Sequence, residues 1–162
     1  MSHVRYIDKT REYYKKEGYD APYRWAHFDD VPFTPLGKPL AECRVGLITT
    51  SEMAIHGEPP PVADDDPLRD PYWLPSATPV AKLYSRKTAY DRFATTLDDV
   101  DSYLPLTRLG ELAAEGRIGG LAPRFQMAFS QYSQRKTLKV DAPRIEHWLR
   151  EDRVDVAVLT AV

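Results

Sequence analysis

Apolar residues gather in two short runs, RVGLITT at 44–50 and VDVAVLTAV at 154–162, each bounded by polar residues. Both are too short for a free-standing helix and rich in β-branched residues. Each therefore reads as a strand buried on both faces, the form a parallel sheet imposes. Both also close on threonines: Thr49 and Thr50 in the first, Thr160 in the second. A helical period appears in three places. Residues 7–17 carry Thr10, Tyr13 and Tyr14 at helical spacings from Tyr6 and stop at Gly18. Residues 106–115 put Leu106, Leu109, Leu112 and Ala113 on one face and stop at Gly116. Asp141 as N-cap and Pro143 in the first turn open a helix to residue 152, with Ile145, Trp148 and Leu149 as its buried stripe.

Weaker patterns predict strands at 72–74 and 80–85 and a short element edging the sheet at 118–121. At 126–134, Met127, Phe129 and Tyr132 interleave with polar residues, and the pattern fits either element type. A helix feeding a buried strand through a tight turn is the unit of a doubly wound sheet. The expected fold is α/β: three layers around a largely parallel sheet of about four or five strands. This domain spans 41–162. Residues 1–40 form an N-terminal helix and an arm in which Tyr19, Tyr23, Trp25, Phe28 and Phe33 alternate with prolines without periodicity. Such an arm makes no core of its own and is expected to lie across the domain or on a neighbouring subunit.

Composition narrows the choice of partner. With 22 basic and 24 acidic residues the charges nearly cancel, so no broad pull toward nucleic acid or an anionic membrane is expected. The single cysteine, Cys43, excludes an internal disulfide framework and suits a reducing cytoplasm. No apolar run approaches the ~20 residues of a membrane span. Seven of the fourteen prolines fall at 59–79, which marks a long loop because proline cannot donate to a sheet ladder.

Ligands of open α/β sheets collect beyond the carboxyl ends of the strands. Thr49, Thr50, Ser51 and Thr160 are therefore candidate substrate-binding residues, by hydroxyl and backbone N–H, with Arg124 as a source of charge. His56, on the loop beyond Thr50, is a candidate general base beside Glu52 or Glu58. Cys43 lies at the entrance of the first strand, the wrong end for this crevice, and reads as structural. The acidic triplet 64–66 reads as solvated, His147 as a surface position, and His3 and His27 carry no constellation. The glycines at 116, 119 and 120 follow a helix and match no phosphate-binding loop. A small-molecule substrate is expected, with no metal and no cofactor implied.

The motifs taken together resemble the selenoprotein B group of the glycine, sarcosine and betaine reductases and the selenocysteine-containing subunit of D-proline reductase. The resemblance rests on PFTPLGKPLAECRVGLITT at 32–50, GEPP at 57–60, YD at 90–91, LPLTRLGELAAEGRIGGLAP at 104–123 and VDVAVLTAV at 154–162. It implies reductive cleavage of a carbon–nitrogen bond in an amino acid or its N-methyl derivative by a selenol or thiol. In the family, a selenocysteine or cysteine follows almost directly after the strand matching VAVLT. Here the sequence stops there, which implies a subunit whose nucleophile comes from a missing C-terminal part or another chain. Two further departures are Ala54, where the family has a histidine, with His56 two positions later, and Arg124, Phe125 and Gln126 in place of a His-Tyr-Ser segment. A non-catalytic ligand-binding or assembly subunit is the alternative, and a hydrolase or lyase using His56 and Glu52 the third reading. A final strand that needs cover predicts a second polypeptide, a homo-oligomer, or both.

Overall fold

The first apolar run becomes β1 (Arg44–Thr49), the centre of the main sheet. The computed structural model describes residues 5–21, 24, 26–86, 93–129 and 133–161. His3, Tyr23, Trp25, Tyr90, Asp91, Tyr132 and Val162, which entered the sequence reading, lie outside them. By contact the chain divides into two compact units, 1–34 and 35–162.

In the larger unit, β7 (Val156–Thr160) runs parallel to β1 and pairs with it from Val45↔Val156 to Thr49↔Thr160. One edge of β1 is thereby filled, so β5 (Gly120–Leu121) and β6 (Arg124–Met127) share the other edge in tandem, both parallel to β1. Beyond β6, β3 (Tyr72–Pro75) is antiparallel. The sheet is mixed with mostly parallel strands, and with its helices it makes an α/β fold. A separate two-stranded antiparallel sheet joins β2 (Met53–Ile55) to β4 (Leu83–Ser85).

Alternation along β1 sends Val45, Leu47 and Thr49 to one face, where Leu47, Phe125, Met127, Met53, Leu74 and Leu104 form the core. The helix α2 (Leu106–Ala114) adds Leu106 to that core. Gly46 points to the other face. A Cβ there would come within 2.7 Å of the Leu149 side chain and 3.0 Å of Val154, so only glycine lets α4 (Ala142–Glu151) and its exit turn settle on β1.

Several expectations need correction. Residues 80–85 are not one strand: Val80–Lys82 is a 3₁₀ turn, and β4 belongs to the small sheet. The ambiguous stretch at 126–134 begins inside the strand β6, and β2 lies in what reads as the loop beyond Thr50. The last strand is not buried. Its Val156, Val158 and Thr160 are half-buried while Ala157 and Leu159 are exposed, Leu159 by 67%, and no strand pairs with its outer edge among the described residues. Asp141 stands at the N-cap position of α4 with Pro143 in the first turn, but its backbone is helical and its side chain makes no capping hydrogen bond. The helical stretch starts earlier, with α3 (Gln134–Lys136), where the Ser133 hydroxyl accepts from the Lys136 N–H at 3.2 Å. A π turn, Thr137–Asp141, then leads into α4. Pro143 has no N–H to give the preceding turn and its ring crowds the carbonyl four residues back, so the turn before it widens. Buried Asp141 instead takes the Lys136 ammonium at 2.6 Å.

In the smaller unit, α1 (Tyr6–Lys16) carries basic residues in its last turn and ends at Gly18, with φ 90°. Tyr13, Tyr14 and Tyr19 pack edge to face on one another, with ring centroids 5.4 and 5.7 Å apart. No helix among the described residues is long and apolar enough to cross a membrane.

Candidate functional site at the carboxyl edge of the sheet

Thr49 and Thr160 stand side by side where β1 and β7 end, and the Thr50 N–H donates to the Thr160 carbonyl at 3.2 Å. The register that pairs the two apolar runs thus brings their terminal threonines together. Their hydroxyls do different things. Thr49 and Ser51 are fully buried and bonded to each other, oxygen to oxygen, at 2.7 Å. The Ser51 hydroxyl also lies 3.2 Å from the Met53 sulfur, and the Ser51 carbonyl accepts from the Ser85 hydroxyl. These two residues lock the exit of β1 and present nothing to solvent. Thr50 and Thr160 are half-buried, and the Thr160 hydroxyl lies 3.3 Å from the Ile48 carbonyl, a backbone partner at the strand end.

Glu52 follows with φ 49°, in the left-handed region, and turns the chain out of the main sheet into β2. Its carboxylate meets the Arg69 guanidinium at 2.7 Å, and Arg69 has φ 43°. Left-handed backbone costs a non-glycine residue about 1–2 kcal/mol. Here two such residues form one ion pair, and strain of this kind gathers where a site fixes its geometry. The Arg69 guanidinium also lies over the Phe129 ring, 4.4 Å from its centroid, just past the end of β6. The Arg86 N–H holds the Glu52 carbonyl at 3.1 Å, while its guanidinium binds the Val62 carbonyl at 2.7 Å and exposed Asp64. The Tyr72 hydroxyl donates to the Met53 carbonyl at 2.8 Å, and burial pushes its pKa well up, so it stays a neutral donor. Glu52 and Arg69 keep side-chain exposures of 17% and 37%, enough for a ligand to reach the pair.

The remaining candidates stand elsewhere. His56 is exposed beyond the far end of β2, stacked on Tyr84 with centroids 4.5 Å apart. The intervening strand puts it on the order of 10 Å from Glu52 along the chain, and the two do not form an acid–base pair. Arg124 opens β6, three residues before Met127, the partner of Thr49. It is a strut between sheet and helix: its guanidinium meets Asp152 at 2.8 Å and Glu151 at 2.6 Å and lies 5.3 Å from the Trp73 ring centroid. The Asp152 carboxylate, and then Glu151, raise its pKa further. It is not brought to the threonines. Cys43 is fully buried at the start of β1, its sulfur against the Pro39 and Lys38 carbonyls at 3.4 and 3.8 Å. No cluster of three or more potential metal-ligating side chains occurs among the described residues, the acidic triplet at 64–66 included.

Arg69, Arg86 and Phe129 are the site residues that sequence reasoning missed. Both arginines lie outside any periodic element, so spacing carried no signal for them. The one available cue was Arg69 as a lone base within a proline-rich acidic loop. Comparison of the chain with family models, curated proteins and solved structures returned no match.

Proposed function

We propose that the chain is a substrate-binding subunit of a selenol- or thiol-dependent reductase acting on a small amino acid or its N-methyl derivative. The redox group then comes from outside these residues. The observation that supports this reading is the strained Glu52–Arg69 pair two positions beyond Thr50. A zwitterion can exchange into such a pair, its carboxylate taking the Arg69 fork and its ammonium the Glu52 carboxylate, at no net change of charge. The sealed Cys43 supports a nucleophile supplied in trans, because a redox thiol needs access and a thiolate-stabilising neighbour. The outer edge of β7, unpaired among the described residues, supports a second polypeptide or a second copy completing the sheet. A ligand-binding subunit without catalysis shares every one of these supports and differs only in whether a redox partner joins it.

Calorimetric titration with glycine, sarcosine, betaine and D-proline tests the reading. Saturable binding of at least one is expected, weakened about tenfold by Glu52→Gln through loss of one charged hydrogen bond. Thermal melts confirm that the variant is folded. The isolated chain is expected to show no dithiol-driven turnover, with Cys43→Ser changing nothing. Binding of none of the four, indifference to Glu52→Gln, or turnover that Cys43→Ser abolishes would each contradict the proposal.

A further inference from the structure

A second candidate region lies beside Arg69, at a cavity of about 810 Å³ between the loop before β3 and the α3 to π-turn segment. Asp70, Ser133, Arg135, Lys136 and Lys139 line it. One part of this wall neutralises itself. The Lys136 ammonium takes Asp141 at 2.6 Å, Asp70 at 3.5 Å and the Arg69 carbonyl at 3.3 Å, so its three donors are committed. Asp70 also takes Arg144 at 2.7 Å, which holds its carboxyl below the usual range and keeps it ionised. Two carboxylates thus balance two cations. Arg135 and Lys139 remain, with no acidic partner among the described residues, four positions apart across the widened turn. Like charges at that spacing, with roughly 5–6 Å between their Cβ atoms, destabilise a helix unless something anionic sits between them.

We propose that this cavity binds the phosphate group of a small phosphorylated organic molecule. A long guanidinium and a long ammonium side chain four positions apart on one cavity wall can both reach a single dianionic head, and a guanidinium fork beside an ammonium suits a phosphate with several acceptor oxygens. The apolar walls Leu68 and Val140, both exposed, give the organic part a surface to cover. A volume of this order suits a small ligand.

Phenyl phosphate is the probe, with inorganic phosphate and benzoate as comparisons, in calorimetric titrations of the whole chain. Phenyl phosphate should bind saturably and more tightly than either comparison. Its affinity should fall about tenfold or more in the double variant Arg135→Ala/Lys139→Ala, and should fall again below about pH 6 as the phosphate takes up its second proton. Both residues are exposed, and a cooperative circular-dichroism melt at or above that of the unaltered chain shows that the variant is folded. The single variant Leu68→Ser, at an exposed loop position, should bring phenyl phosphate down to the affinity of inorganic phosphate. No saturable binding, benzoate binding as tight as phenyl phosphate, or affinity unchanged in the double variant would each overturn the proposal. Because anions can also reach Arg69, Glu52→Gln serves as the control: it should leave phenyl phosphate affinity unchanged while weakening the amino-acid ligands, so failure here and failure there are separate results.

Discussion

Gln126 is fully buried on β6, and neither its amide nitrogen nor its amide oxygen has a hydrogen-bond partner among the described residues. Its neighbours across the sheet are Ile48 and Trp73, whose backbones are occupied in the ladder. A buried amide that has lost its water without a replacement costs on the order of 1–3 kcal/mol. Gln126→Met, close in shape and free of polar atoms, is therefore expected to raise unfolding stability by about 1–3 kcal/mol, read as a higher denaturant midpoint at unchanged slope. A lower midpoint would show that the amide is satisfied in solution. The same residue explains why its strand was hard to read. A polar side chain at a fully buried position breaks the apolar run that marks a parallel strand, and Phe125 and Met127 alone gave a pattern open to helix or strand.

At the scale of elements, β1 meets α4 through Gly46. Gly46→Ala would set a methyl against Leu149 and Val154, and should destabilise by about 1–3 kcal/mol through overpacking. Leu149→Ala in the same chain should recover part of that loss, because the closest clash is with a movable side chain. Strictly additive losses in the double variant would mean that the helix does not rest there. β1 was legible because its apolar run is unbroken and its neighbours cover both faces. The run at β7 looked alike but was misleading, because composition records what a strand could bury and not whether its outer edge is filled. α2 was legible from its period and its Gly116 stop. The start of the last helix was not, because the Asp141–Pro143 signature also fits a proline-widened π turn inside a longer helical stretch.

For the whole molecule, the sheet rule located the candidate site at the carboxyl edge of β1 and β7, and Thr50, Thr160 and Glu52 were named from it. The rule could not name the partner of Glu52. Arg69 arrives from a proline-rich loop whose path depends on tertiary contacts: its ring contact with Phe129 and its backbone bond from Lys136. Nor could it foresee that Thr49 and Ser51 would bond to each other inside the fold and that Arg124 would be taken up by α4. What is left at the edge is a small polar site whose two charges come from residues held in costly backbone conformations, with the lone thiol sealed at the opposite end of β1. The most direct test is backbone amide shift mapping of the ¹⁵N-labelled chain during titration with sarcosine. The account predicts saturable shifts centred on Thr50, Glu52, Arg69 and Thr160; shifts confined to Cys43 and α1 would contradict it.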